Sequence, residues 1–512
     1  MRRLLISIII IGSCYQSHSQ EVNIEWGNEI DPKTTPSKIL GKRPDGIYTI
    51  SNKGKKKYIE KYSTKDMSNL ISQEIEFLYI DGSEPEYENA VMVGEKLVLF
   101  ASVFNKKQST YSMIVYEIKP NCKLGKSIEI SSIEVEKKGK KGSFDAVLSD
   151  DKNHILIYHY YDDDKNDRLL FNAKVLDYEL EQVAKIEDVI KHQEKANMDF
   201  ASFHIDNNVN VYAAARISDL STPNLKSGYV IYQYEKSNSY KRNEYEVSFS
   251  PRDKSINTIS FTTDNVGDLI IAGYYITIKD KLFSPTEISG TFYLKIDKNT
   301  KEVVVENFKD FPNEMLADYL KPKELDKGRK LPSYFVPRQL FLLENGSLIF
   351  VSEYFYSSYD REKGVYKIFY GSIFVCVING DGSVNSMTFI PKEQFYMYQQ
   401  NSITALLRDN SVYYSYLVSI KNDKLYFLYN DLPENLDKVV RETKTLQQIN
   451  QSVPVIATID TETGSLTRKA AFGAVDSDIY IRPLISTELK DKTFIVYGSK
   501  GKSDKLGILT IK

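Results

Sequence analysis

Tryptophan, cysteine and histidine are all rare in this chain of 512 residues, with counts of one, three and five. The single tryptophan, Trp26, argues against WD40-type repeats, whose signature includes a tryptophan. The net charge of −2 produces no global field that would select nucleic acid or an anionic membrane. No apolar run reaches eighteen residues, so we expect no transmembrane span in the mature chain.

Recognisable catalytic motifs are absent as well. The sequence contains no G-x-S-x-G elbow, no G-x-G-x-x-G turn, no P-loop and no H-E-x-x-H pair. Beyond the N-terminal segment the histidines are His154, His159, His192 and His204, and none has the spacing of a paired metal ligand. These absences lean against an enzyme and indicate no resident cofactor.

The first twenty residues have the pattern of an export signal, with two arginines before an apolar core that is too short to span a membrane. The letters SHS before Gln20 fit signal peptidase, which makes residues 1–19 a signal peptide and residues 20–512 the mature chain. The letters IGSC fit a bacterial lipobox, which would anchor the chain through a lipid on Cys14. We favour cleavage before Gln20. Both routes predict a periplasmic, outer-membrane-surface or secreted protein.

After cleavage before Gln20, Cys122 and Cys376 remain. They fall in different repeats at different repeat positions, so we expect no disulfide and a core stabilised by burial.

An internal repeat is the strongest signal in the sequence. The stretch from Asn257 to Phe308 reads as two hairpins, with turns at Asp264 and Asp297. Its second hairpin recurs along the chain at spacings of 52 to 82 residues. The recurrences align on Tyr62, Ile118, Leu176, Tyr234, Ile296, Ile378, Ile459 and Ile511.

A four-stranded antiparallel unit that repeats without intervening helices predicts an all-β fold, a β-propeller. Counting the strands favours eight blades, with seven as the next choice, and a solenoid or a pair of sandwiches is the alternative. The last unit lacks a fourth strand, which the segment NIEW from Asn23 would supply. Small helical insertions are expected near residues 310–333 and 421–452 of a single domain, the second as an added strand and then an amphipathic helix that includes Leu436 and Leu446.

The long connections are expected on one face of the ring, since the turns of the first and second hairpin in each unit are short throughout. These connections are residues 218–228, 277–290, 312–333, 353–371 and 422–452. The residues that lead to the long connections are aromatic and acidic, and tyrosine offers a flat apolar ring with a polar tip. The alternative for these tyrosines is ordinary packing between blades. The candidate binding face consists of Tyr160, Tyr161, Asp162, Tyr274, Tyr275, Glu353, Tyr354, Tyr356, Tyr416, Tyr429 and Asp431.

Three charged segments are interpreted as solvated loops. Asp162, Asp163 and Asp164 resemble the start of a calcium loop, but Asp167 stands where an EF-hand needs glycine and Ala173 where it needs glutamate. Calcium is therefore the weaker interpretation. The lysine runs at 53–57 and 137–141 are short and lack interleaved aromatics, so they do not predict nucleic-acid binding.

The chain resembles uncharacterised secreted β-propeller-like proteins of Gram-negative bacteria. The similarity lies in the strands that end in acidic turns, the segment LYFLYNDLPENL, and the closing segments IYIRPLIS and FIVYGSKGKSDKLGILTI. This resemblance implies the fold and export, and it implies no particular activity.

The sequence therefore favours an exported, non-enzymatic scaffold that binds a peptide, a protein or a glycan through the face with long loops. The alternative is a carbohydrate-active enzyme, a glycoside hydrolase or lyase, that uses carboxylates near the central channel.

Overall fold

The architecture is described from a computed structural model, which describes residues 22–31, 34–163, 166–191, 196–219, 227–251, 253–278, 287–399, 410–472, 479–489, 492–500 and 503–511. Within these residues the chain forms eight antiparallel sheets of four or five strands and one two-stranded ribbon. The prediction of an all-β propeller is confirmed.

The closing strand β1 spans Val22–Ile30. Sheet 1 consists of β2 Thr35–Arg43, β3 Gly46–Lys53, β4 Lys56–Tyr62 and β5 Asn69–Glu74. Sheet 2 consists of β6 Glu86–Val93, β7 Lys96–Asn105, β8 Thr110–Ile118 and β9 Leu124–Glu134. Sheet 3 consists of β10 Ser143–Leu148, β11 His154–Asp163, β12 Arg168–Asp177 and β13 Gln182–Lys191. Sheet 4 consists of β14 Ala196–Ile205, β15 Val211–Asp219, β16 Ser227–Tyr234 and β17 Arg242–Val247.

Sheet 5 consists of β18 Lys254–Thr263, β19 Leu269–Thr277, β21 Gly290–Ile296 and β22 Val303–Asp310. The ribbon pairs β20 Glu287–Ile288 with β23 Leu331–Pro332. Sheet 6 consists of β24 Phe335–Leu342, β25 Leu348–Asp360, β26 Val365–Ile378, β27 Val384–Ile390 and β28 Gln394–Gln399. Sheet 7 consists of β29 Leu417–Lys421, β30 Lys424–Asp431, β31 Val453–Asp460 and β32 Leu466–Ala470. Sheet 8 consists of β33 Tyr480–Ile481, β34 Thr487–Glu488, β35 Thr493–Lys500, β36 Ser503–Ile511 and β1.

The repeat alignment made from the sequence corresponds to one structural position. Each of the eight aligned residues is the last or next-to-last residue of the third strand of its sheet. The hairpin turns also follow the predicted chemistry, since the Asp264 carboxylate accepts hydrogen bonds from the backbone amides of Val266 and Asp268. Aspartate at a turn satisfies amides that the strands leave unpaired.

Sheet 8 joins the two ends of the chain. Strand β1 pairs antiparallel with β36, from Val22 opposite Ile511 to Ile30 opposite Asp504. The predicted contribution of the NIEW segment is therefore confirmed, and it supplies the fourth strand that the C-terminal unit lacks.

The core is divided among the junctions of the ring. A separate buried apolar cluster lies at each junction between consecutive sheets, and another joins sheet 8 to sheet 1. At this last junction Ile39 and Ile47 pack with Ile495 and Tyr497. Each sheet is thus covered on both faces, because one face contacts the preceding sheet and the other contacts the following one.

The first strands of sheets 1 to 6 lie nearest the axis. First strands contact one another between sheets 3 and 4, 4 and 5, and 5 and 6, and β2 contacts both β6 and β34. We call the end of the ring that carries the first-to-second and third-to-fourth turns the turn face. The opposite end, which carries the second-to-third and sheet-to-sheet connections, is the loop face.

Connection lengths differ between the two faces. On the turn face, the connections of sheets 1 to 7 have two to seven residues. On the loop face, the described segments 311–334 and 432–452 are far longer. The first contains the helices α1 Asn313–Tyr319 and α2 Pro322–Leu325. The predicted loops around 220–226 and 279–286 lie outside the described residues.

Sheet 7 corrects two predictions. The first strand of the sheet is β29, and it turns at Asn422 and Asp423, which both have positive φ. This two-residue turn makes LYFLYND the second strand of the sheet, where the prediction had an inserted strand. The amphipathic helix expected around Leu436 is replaced by short 3₁₀ turns at Pro433–Asn435, Val440–Glu442 and Ile449–Gln451.

Two further 3₁₀ turns lie at Lys236–Asn238 and Asn410–Tyr413. Among the described residues, no helix has the length and apolar character required to cross a membrane.

Candidate functional site

The second and third strands of sheet 6, β25 and β26, extend together beyond the body of the ring on the loop face. Strand β25 has 13 residues and β26 has 14, whereas the corresponding strands of the other sheets have 7 to 10. Four additional residues advance a strand by roughly 13 Å. The sequence 353–371, which we interpreted as an elaborate loop, is therefore a strand pair, which we call the projecting hairpin.

Strand β28 widens the projecting hairpin into a three-stranded surface. It pairs with β26 from Val365 opposite Gln399 to Tyr370 opposite Gln394, in the place that β27 occupies lower in the sheet. Because directly paired residues share a face, Tyr359, Tyr366 and Tyr398 lie side by side across the three strands.

The rings on this face form a continuous series. Tyr359 and Tyr366 have ring centroids 4.6 Å apart, and Tyr366 and Tyr398 are stacked at 5.1 Å with an angle of 14°. Tyr398 continues to Tyr396 at 5.7 Å, and Tyr396 continues to Tyr414 at 5.6 Å. We call these five residues the tyrosine ladder. It runs from the exposed end of the hairpin, where Tyr359 is 41% exposed, to the buried ring of Tyr414.

The stacking determines which parts of the rings face solvent. Tyr366, Tyr398 and Tyr396 are stacked, so each of these rings covers part of a neighbour's face. At the buried end, desolvation raises the pKa of Tyr414 to about 12, so this hydroxyl is a neutral hydrogen-bonding group. The ladder thus combines apolar ring edges with hydroxyls that can donate and accept hydrogen bonds.

The other face of the projecting hairpin carries a second aromatic group. Tyr356 contacts Tyr334 at 5.0 Å and Phe369 at 6.1 Å, and Phe369 contacts Phe395 at 4.6 Å. Nearby, Tyr334 is 40% exposed and Met397 is 54% exposed. Both faces of the hairpin are therefore amphipathic.

A buried ion pair supports the base of the hairpin. The Lys392 ammonium donates to the Glu353 carboxylate at 2.8 Å, and neither side chain has exposed surface. Ser415 donates to the other Glu353 oxygen at 2.8 Å, and Arg338 approaches that oxygen at 3.2 Å. Gln394 accepts from the Lys392 ammonium and from the Ser415 amide, so the group links sheet 6 to the segment that enters sheet 7.

The ion pair also contacts the aromatic rings above it. The Lys392 ammonium lies 5.9 Å from the centre of the Tyr370 ring, which stacks on Tyr414 at 6.3 Å. Arg338 lies 5.4 Å from the centre of the Phe355 ring. Burial lowers the pKa of Lys392 while Glu353 opposes that shift, and the 2.8 Å contact argues for the charged pair.

Asp431 is a second buried carboxylate in this region. Its Oδ1 accepts from the Leu432 amide and from the Asn435 side chain, while Oδ2 has no hydrogen-bond partner in the part of the chain described here. Desolvation is the largest influence and raises the pKa of Asp431 to about 6. Asn430, the preceding residue, donates hydrogen bonds from its side-chain amide to the backbone carbonyls of Tyr413 and Ile481.

Most residues of the predicted binding face lie inside the structure. Tyr274 and Tyr275 are each 1% exposed, and their hydroxyls bond Ser352 and Asp310. The other buried members are Tyr161, Glu353, Tyr416, Tyr429 and Asp431. The buried tyrosines pack between or within sheets, which is the alternative considered from the sequence.

The remaining members are partly accessible, and they lie in two places. Tyr354 and Tyr356 belong to the projecting hairpin. Tyr160 and Asp162 lie on β11 in sheet 3, where the Tyr160 hydroxyl faces Asp199 at 3.4 Å. The structure therefore does not gather the predicted residues into one surface.

Sequence reasoning did not identify Tyr359, Tyr366, Tyr396 and Tyr398 as site residues. Their signal was present in the segments VYKIFY and FYMYQ, where tyrosines are four and two residues apart and so lie on one face of a strand. Alternation of this kind predicts strands that share one aromatic face.

The predicted calcium segment lies partly outside the described residues, which exclude Asp164 and Lys165. Of the described members, Asp163 accepts hydrogen bonds from Arg168 at 2.8 Å and from Asn166 at 2.7 Å. His192 is also outside the described part.

Two histidines are structural. His159 stacks on Phe144 at 4.1 Å, its Nε2 faces the Lys141 carbonyl at 3.0 Å, and its Nδ1 faces the Ser131 hydroxyl at 3.1 Å. A carbonyl only accepts, so Nε2 carries the hydrogen and Nδ1 accepts from Ser131. Burial lowers the pKa of His159 to about 4 and that of His204 to about 4. Both rings are neutral at pH 7.

Comparison with known proteins finds no matching protein-family model and no matching curated sequence. Among solved structures, prolyl oligopeptidase B from Galerina marginata aligns with a TM-score of 0.38 and 9% identity, over 91% of this chain and 55% of that one. The β-propeller domain of the Trilobed protease from Pyrococcus furiosus aligns with a TM-score of 0.34 and 11% identity, over 86% of this chain and 98% of the domain.

An α-L-arabinanase from Penicillium chrysogenum, solved with arabinobiose, aligns with a TM-score of 0.30 and 11% identity, over 64% of this chain and 91% of that one. This chain thus spans about half the length of the oligopeptidase it is similar to. At these scores and identities none of the likenesses bears on what the chain does.

Proposed function

We propose that this protein is an exported binding scaffold that captures a protein or peptide segment on the tyrosine ladder of its projecting hairpin. The observation that carries the proposal is the ladder itself, a row of tyrosines on the loop face that is most exposed at Tyr359. Export is proposed from the N-terminal sequence alone.

Tyrosine suits this role for energetic reasons. Each ring supplies a large contact area and one hydroxyl, and it loses the freedom of only two side-chain torsions on binding. The ladder is already ordered by its own stacking and by three paired strands, which reduces the entropy lost when a partner docks.

The orientation of the rings favours polypeptide over glycan. Sugar rings pack best on exposed aromatic faces, but the inner faces of the ladder are covered by neighbouring tyrosines, as in the pair Tyr366 and Tyr398. Ring edges with hydroxyl groups match the mixed apolar and amide surface of a polypeptide. The Glu353 carboxylate is bound by Lys392, Ser415 and Arg338, and these contacts fit a role in stabilising the base of the projecting hairpin.

A binding screen on the mature protein tests the proposal. We would probe peptide and glycan arrays with the wild type and with the triple variant Tyr359→Ser, Tyr366→Ser, Tyr398→Ser. The matched control is Tyr178→Ser, because Tyr178 is a 52% exposed tyrosine in a turn of sheet 3 on the turn face.

We expect peptide ligands for the wild type and the control, and a loss of affinity of about tenfold or more in the triple variant. Binding of glycans alone would contradict the choice of partner. Equal peptide binding by the triple variant would show that the ladder is not the site.

A further inference from the structure

A cavity of about 580 Å³ opens on the turn face, opposite the projecting hairpin. It is lined by first-strand residues of sheets 1, 2 and 3, by their first turns, and by residues 487–489 of sheet 8. Because first strands lie nearest the axis, the cavity lies on the inner side of sheets 1, 2, 3 and 8. Its volume falls within the range typical of sites for small organic ligands.

The walls of the cavity are largely apolar. Ile39 and Leu40 come from sheet 1, Val91 and Met92 from sheet 2, and Leu148 from sheet 3. Ile39 and Leu40 are buried in the junction clusters, whereas Val91, Met92 and Leu148 are only half-buried, so an apolar ligand that covers these three side chains would be stabilised by the area it removes from water.

The charged residues of the lining are predominantly basic. Lys38, Lys42 and Lys152 line the cavity, and none of them forms an ion pair within the part of the chain that the structure describes. The Lys38 ammonium donates to the Asn89 side chain at 2.7 Å; burial lowers the pKa of Lys38, and the nearby Asp145 carboxylate partly opposes that shift. An anionic ligand would compensate further for the hydration that this ammonium loses.

The other charged groups of the lining are engaged within the protein or stand at the rim. Arg43 approaches Asp45 at 3.4 Å, and Glu488 accepts from Ser419 and lies 3.5 Å from Lys492. Glu95 is exposed in the first turn of sheet 2. Three lysines against this one carboxylate leave the lining positive.

We infer that the cavity binds a small amphiphilic anion, with its apolar body against Val91, Met92 and Leu148 and its anionic group against the lysines. The apolar wall selects the apolar body of the ligand, and the positive charge of the lining selects its anionic group. The site is separate from the tyrosine ladder, so the two proposals succeed or fail independently.

Calorimetric titration of the mature protein with dodecanoate tests the inference, and dodecylammonium serves as the probe of equal chain length and opposite charge. We expect saturable binding of one dodecanoate per chain, and weaker binding of dodecylammonium. Lys38→Gln and Lys152→Gln should each weaken dodecanoate binding by about tenfold, since a hydrogen bond to a charged group is lost.

Two further variants separate the cavity from general adsorption. Leu148→Trp places a large ring in the cavity and should remove binding. Lys126→Gln is the matched control, because Lys126 is a 69% exposed lysine on the outermost strand of sheet 2. Thermal melts establish that each variant is folded.

The result that overturns the inference is the absence of saturable binding. Equal affinity for dodecanoate and dodecylammonium, or unchanged affinity in both lysine variants, would overturn it equally. The lysine variants alter partly exposed side chains, so they keep the inference testable if Leu148→Trp does not fold.

Discussion

Lys392 and Glu353 form an ion pair at 2.8 Å in which neither side chain has any exposed surface. The two residues are separated by 39 positions in the chain, and their contact fixes the start of the segment that leads from β27 to β28 against the base of the projecting hairpin. A charge in such a place is stabilised only while its partner is present.

Removing one member of this pair should therefore destabilise the protein strongly. We expect Glu353→Gln to lower the free energy of unfolding by about 3 to 5 kcal/mol, since it leaves the buried Lys392 ammonium without its charged partner. Lys392→Met should lower it less, since Arg338 still lies 3.2 Å from the Glu353 carboxylate. Urea denaturation measures the change. The double variant should be less destabilised than the sum of the two single variants.

An exposed pair of similar geometry is the control for this experiment. Lys185 and Glu187 lie 2.7 Å apart with side chains that are 50% and 62% exposed. Replacing Lys185 by Met should cost less than about 1 kcal/mol. Equal effects at the two sites would contradict the role assigned to Lys392 and Glu353.

Most of the architecture could be predicted because it rests on local patterns. Third strands ending at positions such as Ile118 and Ile296, aspartate turns such as the one at Asp264, and a missing fourth strand are all visible within short stretches of sequence. Each of these patterns arises from hydrogen bonding or burial among residues that are close together in the sequence.

The candidate site could not be predicted in the same way. In a ring both faces of a sheet are covered, so Tyr274 and Tyr275 point to opposite sides of β19 and both are buried. Alternation therefore does not separate core from surface in these sheets. Whether a tyrosine is exposed depends on how far its hairpin extends beyond the ring, as it does at Tyr359.

His159 should make the protein sensitive to acid. Its pKa is about 4 in the folded state and 6.5 ordinarily, so between these values the unfolded chain binds more protons than the folded one. Stability therefore rises with pH across this window and is lost on acidification, by about 3 kcal/mol for this residue.

Unfolding at pH 7.5 and pH 4.5 isolates this effect. At pH 7.5, the difference in unfolding free energy between wild type and His159→Gln measures the lost contacts with Ser131 and Lys141. The difference in how steeply the unfolding free energy changes with pH measures the titration of His159. We expect the variant to lose less stability than the wild type between the two pH values. An identical loss in both proteins would show that His159 does not titrate as described.

Asp431 should change the stability of the protein in the direction opposite to His159 over nearly the same pH range. Burial raises its pKa from 3.8 to about 6, so between these values the folded chain binds more protons than the unfolded one. Its contribution is fully present below pH 4 and is lost as pH rises toward 6, by about 3 kcal/mol. Asp431→Asn should remove this decline, which the same unfolding series measures. A slope equal to that of the wild type would contradict the raised pKa.

The closing strand offers the most direct test of how the ring is held together. The Trp26 ring on β1 lies against two glycines, and a Cβ built at Gly507 would meet it at 2.7 Å and one at Gly498 at 2.5 Å. Gly507→Ala should therefore displace the ring and destabilise the protein by about 1 to 3 kcal/mol. Because Trp26 is the only tryptophan, its emission reports on this junction alone, and we expect a shift to longer wavelength in the variant.

Gly228→Ala is the matched control, since a Cβ at Gly228 meets nothing within 4 Å. It should leave both the emission and the unfolding midpoint close to those of the wild type. If Gly507→Ala also changes neither, Trp26 does not seal the junction between β1 and β36. A shift in emission with the predicted loss of stability would show that the packing of Trp26 against Gly507 adds to the strand pairing that closes the ring.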